Sequence, residues 1–519
     1  MAQRKAIEMK QRLCIGIISG SSVLKRTLDS IGVWYEEIDN FSNLSIYPLI
    51  IIDGKSSLDK ESLQKVIDYK QNSGCILEIS TDPIFYKLPI KKLKIQTIYN
   101  TKTNSPFDRI THLDIYSKCA FSTNTNLFDG LLDFEENFKG HPTSAFLGID
   151  LRSLTTESDY IRKRFLSTFE PLPDEIVNKV SYDSLSDIIE LSIQKLIHAQ
   201  SLPFIKKWTS PHKNPVFCFR IDSDFGTKES IRNTYSMLDK HSIKATWFLH
   251  VEAHQHWLEY FNEFKNQELA LHGFKHGYSN STSKISENMG LGLSVLKASN
   301  IHPSGFCAPY GIWNDTLEKV IREMDFLYTS EFTSGYDCLP FFQSKTNNLQ
   351  IPIHPICTGS LSRKEYSLDD MTNYFTSIFK TKKGLFKPIL FYHHPLQSGL
   401  KVFNKIFEMV NENGLTNLTF KEYAEFWKRR HELNFEAFFE DDRITINSND
   451  NSLLLYVSNT SDSFDLISSK TQIISNESTT TFKYQTPFLP SEIEFNRLHE
   501  NRFKLLKTSI LDWNNRQRL

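Results

Sequence analysis

The stretch "PVFCFRIDSDFG", residues 215–226, runs from a buried strand pattern into two carboxylates. Its apolar residues follow one another without regular polar alternation, which is typical of a parallel strand covered on both faces. The run contains one cation, Arg220, and it ends in Asp222-Ser223-Asp224. Carboxylates at the end of such a strand form either a solvated turn or one wall of an active site. The strands that follow in the sequence favour the second interpretation.

Strand and helix patterns alternate from Asn214 to about residue 433. The predicted strands after the first are "KATWFL", "ELAL", "SGFC", "LYTS", "LQIPI" and "KPILFYH". Amphipathic helices such as "DTLEKVIREM" lie between most of them. Six or seven β/α units of this length predict a closed parallel (β/α) barrel over residues 213–433.

Groups that can bind a metal or move protons follow several of these strands. Besides the two aspartates they are the "HGFKH" of residues 272–276, the "APYG" of residues 308–311 and the "HHP" of residues 393–395. Because parallel barrel strands open their carboxyl ends on one face, these groups should meet at one mouth. One carboxylate and two imidazoles would make a three-ligand zinc set with a position left for water. Each motif alone has a structural explanation, whereas their combination predicts a catalytic metal site.

The order and spacing of these motifs resemble the NodB-homology polysaccharide deacetylases, also called carbohydrate esterase family four. That family has a distorted (β/α) barrel, and the resemblance covers residues 214–430 or so, under half of the chain. The resemblance implies Asp222 as general base and His394 as general acid, with His393 as the less favoured choice. It implies Tyr310 N–H as a donor to the oxyanion. It also implies three metal ligands, which are Asp224, His272 and His276.

The third motif departs from the family pattern. The family carries an arginine there that holds the catalytic aspartate, and this chain has Cys307 at that position. Arg220 lies two residues before Asp222 on the same strand, so both side chains leave on the same side. We therefore predict that Arg220 supplies the missing guanidinium, with an ion pair unrelated to catalysis as the alternative. The fourth motif is weak, and its candidates for tuning the acid are Glu331, Asp337 and His354.

The resemblance implies a metal-dependent hydrolase that removes an N-acetyl group from an acetamido sugar or a polysaccharide precursor. The implied cofactor is a divalent metal, zinc first, with cobalt or nickel as alternatives. The aromatic residues expected to contact the sugar are Tyr310, Trp313 and Phe225. Two rival functions stay open at this point. One is an amide or C–N hydrolase acting on a small non-sugar substrate, and the other is a catalytically dead carbohydrate-binding barrel.

The flanking segments are predicted from their patterns. Residues 1–140 alternate continuous apolar strands with helices, and they look like a small parallel α/β domain of flavodoxin or glutamine-amidotransferase type. That segment has neither a nucleophile elbow nor a G-x-G-x-x-G, so a non-catalytic role is expected. Residues 141–212 are predicted to be a mainly helical connector. Residues 434–519 are predicted to be a small β-rich C-terminal domain.

Composition narrows the partners and the compartment. A formal net charge of −1 gives no electrostatic reason to expect nucleic acid or an anionic membrane. The seven cysteines form no C-x-x-C pair, which favours a reducing compartment. The N-terminal stretch is charged, and no window approaches the ~20 apolar residues that span a bilayer. We expect a cytoplasmic protein with no transmembrane segment.

Overall fold

The computed structural model describes residues 10–54, 58–87, 89–100, 106–122, 130–136, 140–154, 159–343, 345–475, 482–485, 489–499 and 502–519. Its strands are β1 (Gln11–Arg12), β2 (Ile15–Ile18), β3 (Tyr35–Glu37), β4 (Leu49–Asp53), β5 (Cys75–Ile79), β6 (Ile90–Tyr99), β7 (His112–Ser122), β8 (Leu132–Glu136), β9 (Pro142–Leu147), β10 (Tyr160–Arg164), β11 (Asp174–Asn178), β12 (Phe204–Lys207), β13 (Val216–Asp222), β14 (Thr246–Leu249), β15 (Glu268–Leu271), β16 (Gly305–Phe306), β17 (Tyr328–Thr329), β18 (Phe341–Phe342), β19 (Leu349–Gln350), β20 (Ile389–His393), β21 (Thr416–Asn417), β22 (Phe435–Glu440), β23 (Arg443–Ser448), β24 (Leu454–Ser458), β25 (Ser463–Ser468), β26 (Gln472–Ser475) and β27 (Phe482–Lys483). Its α-helices are α1 (Ser22–Ile31), α2 (Lys60–Gln71), α3 (Tyr182–His198), α4 (Lys228–Lys240), α5 (Val251–His254), α6 (Thr282–Ala298), α7 (Asp315–Glu323), α8 (Thr358–Ser362), α9 (Leu368–Gly384), α10 (Val402–Glu412), α11 (Phe420–Glu432), α12 (Glu492–Arg497) and α13 (Arg502–Asn515).

The chain divides into two compact units, each built from three separate segments. The first unit contains Met1–Thr155, Ser184–Pro211 and Arg429–Tyr484. The second unit contains Thr156–Asp183, His212–Lys428 and Gln485–Leu519. No helix within the described ranges has the length and the apolar character that a bilayer crossing requires. The stretch of residues 1–9, on which the expectation about a leader segment rested, lies outside the described residues.

The first unit contains a six-stranded sheet in the order β3-β2-β4-β5-β9-β8. Strands β2, β4 and β5 are buried along their whole length, as their continuous apolar sequences predicted. They pair in parallel, whereas β8 runs antiparallel to β9 at one edge. Helix α1 begins at Ser21, whose side chain accepts the Leu24 N–H, and it ends at Gly32 in a left-handed conformation.

The predicted boundary at residue 140 is wrong, because β9 pairs in parallel with β5 inside the first unit's sheet. The prediction of a mainly helical connector over residues 141–212 is also wrong. The described residues of that range contain the four strands β9, β10, β11 and β12 and the whole of helix α3. The sequences of the hairpin strands β10 and β11 show no apolar alternation because charged residues occupy several of their buried positions. Arg162 and Asp174 face each other there at 2.6 Å, both side chains almost fully buried.

The predicted C-terminal β-rich domain is not an independent body. Strands β22, β23 and β26 form one four-stranded sheet with β1, and β24, β25 and β27 form another with β12. Both sheets therefore need partner strands from much earlier in the chain. Residues Gln485–Leu519, with helices α12 and α13, belong to the second unit instead. The sequence pattern of this region predicted strands, but it could not predict that their pairing partners lie far away in the sequence.

The second unit is built on a curled nine-stranded sheet. Its path is β18-β19-β17-β16-β15-β14-β13-β20, and β21 adds to β13. Six of the seven neighbouring pairs along the path are parallel, and β21 also pairs in parallel with β13. All seven predicted strands of this region are present. Only β18 runs antiparallel to its neighbour.

The predicted closed barrel is instead a half-barrel, because the strand ladder ends at β18 and β20. Beyond β19 the chain reads "IPIHP", and Pro352 and Pro355 have no N–H to continue a ladder. Across this gap His354 N–H donates to the Leu390 carbonyl at 2.9 Å. The sheet is thus curled but open, and this one hydrogen bond links the segment after β19 to β20.

Strand β13 shows how this sheet divides its two faces. Phe217, Phe219 and Ile221 belong to the apolar core, and Phe219 packs against rings of α10 at 4.8 and 5.1 Å. The alternate positions place Arg220 and Asp222 together on the other face. The strand is buried at every position, so its polar residues point into the half-barrel and not into solvent.

Candidate active site

The strand ends of the half-barrel converge on one cavity of about 400 Å³ in the second unit. The predicted site residues that line it are Asp222, Asp224, Phe225, His272, His276, Tyr310 and His394. They come from the ends of β13, β15 and β20 and from the turn after β16. The convergence predicted from the positions of the motifs is therefore observed, although the roles of the residues stay predictions.

Asp224, His272 and His276 present one ligand atom each within 4.8 Å of one another. The Nε2 atoms of the two histidines lie 3.4 and 3.3 Å from Asp224 Oδ1. That oxygen is buried and has no hydrogen-bond partner in the described residues. Ligand atoms about 2.0–2.1 Å from a tetrahedral zinc ion lie about 3.3 Å apart, so the spacing fits a metal better than hydrogen bonds.

The tautomer of His272 also suits metal binding. Its Nδ1 lies 2.9 Å from the Cys307 carbonyl oxygen, which can only accept, so Nδ1 carries the proton. The lone pair of Nε2 then faces Asp224. The two candidate metal histidines lie in a loop, where Gly273 takes a φ of 93°.

A second group of candidate ligands, Asp222, His272 and Cys307, fits a metal poorly. Burial raises the pKa of the Cys307 thiol well above its usual value, so it does not offer a thiolate. The His272 Nδ1 is already occupied by the Cys307 carbonyl. Asp222 is occupied by Arg220. The residues at this point therefore fit a structural contact and not a second metal.

Arg220 and Asp222 form a two-pronged ion pair inside the half-barrel. Arg220 Nε donates to Asp222 Oδ1 at 2.6 Å, and its Nη2 donates to Oδ2 at 2.7 Å. Arg220 Nη1 donates to the Ser330 carbonyl at 2.6 Å, which fixes the guanidinium plane. Burial alone would raise the pKa of Asp222, but Arg220 and the nearby histidines lower it below its usual value. Asp222 is thus held ionised and oriented, with Cys307 Sγ 3.8 Å from its Oδ1.

His394 faces both carboxylates across the cavity. Its Nε2 lies 3.8 Å from Asp222 Oδ2 and 3.6 Å from Asp224 Oδ2. Burial lowers the pKa of His394, but Asp224 and Cys357 outweigh burial and raise it to about 10. His393 is fully buried, with its Nδ1 3.1 Å from Thr358 Oγ1, and it does not line the cavity.

Gln397 orients the ring of His394. Its Oε1 accepts the Gly359 N–H at 2.8 Å, so its Nε2 is the end that faces His394 Nδ1, also at 2.8 Å. This bond favours a lone pair on Nδ1, while the neighbouring carboxylates favour the fully protonated ring. In both forms Nε2 carries a proton and faces the cavity. Gln397 and Cys357 gave no signal in the sequence because they act only through this packing.

The predicted tuners of the acid do not contact it. Glu331 accepts the Ala308 N–H at 2.9 Å, and burial raises its pKa to about 7 despite that bond. Asp337 and His354 bond to each other at 3.0 Å, and Lys382 lies 2.8 Å from Asp337. None of the three has a hydrogen bond to His394 among the described residues, and a role in tuning it stays a prediction. They lie near its strand in the fold but belong to separate polar clusters.

Two of the three aromatic residues predicted to contact the sugar line the cavity, and the third does not. Phe225 lines the cavity, is 49% exposed and packs its ring edge-on to His276 at 5.7 Å. Tyr310 also lines the cavity, and its backbone takes a φ of 62°, as a tight turn at this point requires. Trp313 is fully buried in the apolar core, so the prediction that it contacts substrate is wrong. Its position beside the third motif reflects packing of the half-barrel.

One wall of the cavity comes from helix α13 and the residues after it, which no sequence motif placed there. Asp512, Asn515 and Arg516 line the cavity, and the Arg516 guanidinium lies 5.4 Å from the Tyr310 ring centre. The Gln517 N–H donates to the Tyr310 hydroxyl at 2.9 Å. Asp512 in turn pairs with Arg162 of β10.

Two further charged residues line the same cavity, Glu175 of β11 and Arg363 beside α8. They pair with each other at 3.2 Å. The cavity therefore carries charges of both signs on its outer wall, in addition to the reacting groups at its base. None of these residues lies in a recognisable motif, and only the fold brings them together.

Residues 216–329 match the family model described as "Polysaccharide deacetylase". The chain is similar to the peptidoglycan deacetylase PdaC from Bacillus subtilis, with 14% identity, 43% of this chain and 95% of that chain covered and a TM-score of 0.31. It is similar to Puue Allantoinase, with 14% identity, 42% and 92% covered and a TM-score of 0.36. It is also similar to the Xyl-CE4 domain of a multidomain xylanase from the hindgut metagenome of Trinervitermes trinervoides, with 18% identity, 41% and 91% covered and a TM-score of 0.30.

No curated protein matches the chain. The matched segment begins at the first residue of β13 and ends with β17, so it includes Asp222, Asp224, His272, His276 and Tyr310. It stops before β20 and His394. The family match covers the motifs around Asp222, His272 and Tyr310, and the motif around His394 lies outside it.

Proposed function

We propose that this protein is a metal-dependent hydrolase that removes an N-acetyl group from an acetamido sugar or from a small polysaccharide precursor. One observation carries the proposal. A single cavity contains three metal-ligand atoms around Asp224, an ionised Asp222 held by Arg220, and a protonated His394 Nε2. These are a base, an acid and a metal site within reach of one bound amide.

A zinc ion held by Asp224, His272 and His276 would supply an acidified water and a polarised acetyl carbonyl. Asp222 takes the proton of the attacking water, since Arg220 keeps it ionised and aimed at the cavity. The Tyr310 N–H donates to the developing oxyanion. His394 gives its Nε2 proton to the departing amine, which would otherwise be a poor leaving group. Acetate and a free amine are the products.

The size of the cavity supports a small substrate. A volume of about 400 Å³ lies within the range of small-molecule sites and is short of a groove for a long polymer chain. Residues of α13 form one wall, which supports a single acetamido sugar or a short precursor as the substrate. The same size supports a second candidate, hydrolysis of an amide or C–N bond in a small non-sugar compound. A cytoplasmic location would suit either substrate and stays a prediction.

The test is metal analysis of the purified protein combined with an acetate-release screen over N-acetylated monosaccharides and short oligosaccharides. We expect one bound divalent metal per chain and acetate release that a chelator abolishes and zinc restores. The matched control is Asp222→Asn, which keeps the shape of the base and the three ligands. It should retain metal and lose turnover by about 10²–10⁴-fold.

The outcomes separate the candidates. Metal-dependent hydrolysis of small amides without acetate release from any sugar would favour the second candidate. A protein that binds no metal and hydrolyses neither class would sink the proposal and favour a binding role. Loss of metal in Asp222→Asn would mean that the base and the metal carboxylate had been assigned the wrong way round.

A further inference from the structure

The two aspartates at the end of β13 are separated by Ser223, and the second of them, Asp224, has an unusual backbone conformation. Asp224 has a φ of 40°, in the left-handed region that residues with a side chain rarely adopt. Such a conformation persists only where the surroundings hold it. Three buried residues outside the metal triad do so here, which are Ser223, His250 and His254.

His250 connects the backbones of two metal ligands. Its Nδ1 lies 2.8 Å from the Asp224 carbonyl oxygen, and its Nε2 accepts the His276 N–H at 3.2 Å. A carbonyl can only accept and a backbone N–H can only donate. The ring must therefore be neutral with its proton on Nδ1. The loop after β13 and the loop after β15 are thus joined through one imidazole.

Ser223 holds the segment that carries His250. The Ser223 hydroxyl accepts the His250 N–H at 2.9 Å, and it lies 2.9 Å from His254 Nε2. The Ser223 N–H donates to the Phe248 carbonyl at 3.0 Å, which extends the pairing of β13 with β14 by one residue. The residue that separates the two aspartates is therefore anchored on both its backbone and its side chain.

We propose that His250 is the positioning residue of the metal site, with Ser223 and His254 holding it in place. His250 acts through hydrogen bonds to the backbones of Asp224 and His276, and its ring also packs against the His276 ring at 5.6 Å. Hydrogen-bond partners one step removed from the metal typically change its affinity 10–100-fold. The inference rests on the proposed function only in needing a metal at Asp224.

The test is a titration of metal-free protein with zinc in competition with a chelator, repeated with cobalt for its visible spectrum. His250→Phe keeps a ring but removes both hydrogen bonds, and we expect its affinity to fall 10–100-fold. The cobalt spectrum should also change, because the carboxylate shifts. His354→Phe is the matched control, since His354 is an equally buried, doubly hydrogen-bonded histidine of the same half-barrel. Its metal affinity should equal that of the wild type.

Ser223→Ala is the milder variant if His250→Phe fails to fold. It removes one oxygen and should lower the affinity about threefold to tenfold, in keeping with the loss of one hydrogen bond. Wild-type affinity in whichever of the two variants folds, or an equal loss in His354→Phe, would overturn the inference and leave the proposed function intact. A wild-type protein that binds neither zinc nor cobalt would overturn both. Tight metal binding without any amide hydrolysis would overturn the proposed function alone.

Discussion

Replacing Arg220 by methionine tests whether Arg220 orients the proposed base Asp222 or only stabilises the fold of the site. Methionine fills most of the volume of arginine without its charge, so Asp222 would lose the partners of both its carboxylate oxygens. Breaking a fully buried ion pair from one side typically costs about 3–5 kcal/mol. If that cost falls on the ionised form of Asp222, it raises the pKa of Asp222. The carboxylate would then also be free to turn away from the attacking water.

The assay is acetate release as a function of pH on the substrate found by the screen. Asp222 is a base whose pKa is lowered in the wild type, so its activity is present above that pKa and is lost as the pH falls through it. In Arg220→Met we expect the low-pH limb to move to higher pH and the plateau to fall about 10²–10³-fold. Bound metal should not change, because Arg220 has no hydrogen bond to a metal ligand.

Two controls make the result decisive. Arg322→Met removes a surface guanidinium whose side chain is 54% exposed, and it should leave rate and pH profile unchanged. Adding Cys307→Arg to Arg220→Ala moves the guanidinium to the position where the resembling family carries it, and Cys307 Sγ already lies 3.8 Å from Asp222. Partial recovery of rate in this double variant would support the exchange of positions. A near-normal rate with an unshifted low-pH limb in Arg220→Met would refute the reasoning.

Three further predictions concern the metal, the cavity wall and a buried acid. His276→Ala should weaken zinc binding at least 100-fold, measured as zinc retained after dialysis, and unchanged zinc content would remove His276 from the ligand set. Because the Arg516 guanidinium lines the cavity, Arg516→Ala should raise KM about tenfold, with kcat unchanged, for substrates that carry a carboxylate or phosphate. The KM of neutral substrates should not change, and an equal effect on both classes would contradict a charge contact. The pKa of Glu331 is raised to about 7, so its contribution to stability is present below its unfolded pKa and is lost as the pH rises toward 7. In urea unfolding, the free energy of unfolding of the wild type should therefore fall by about 2–3 kcal/mol more than that of Glu331→Gln between pH 4.5 and 7. Parallel plots of the two free energies against pH would mean that Glu331 is ionised in the folded protein.

The part of the site that the sequence predicted is the part that strand periodicity determines. Asp222, Asp224, His272 and His394 each follow or end a buried strand, and parallel strands bring such positions to one edge. Arg220 could be placed beside Asp222 because alternate residues of a strand share a face. No knowledge of distant packing was needed for either step.

The rest depended on contacts that no local pattern encodes. His250 and Gln397 act through single hydrogen bonds whose partners come from other loops. Arg516 reaches the cavity because α13 packs in the second unit, far in sequence from the reacting groups. Trp313 failed as a substrate contact because a large aromatic beside a motif serves packing as readily as binding. The closed barrel failed because two prolines interrupt the ladder beyond β19.

Helix α13 has a consequence for how such a protein can change over generations. The residues proposed for the chemistry lie between residues 220 and 394, whereas Asp512, Asn515 and Arg516 line the same cavity from the end of the chain. Mutations in the segment of the gene that encodes these last residues could therefore alter which compounds fit, while the base, the acid and the ligands stay untouched. Under the proposed function, reaction and selectivity are encoded by separate segments of the gene, so a lineage could explore new substrates without passing through an inactive ancestor.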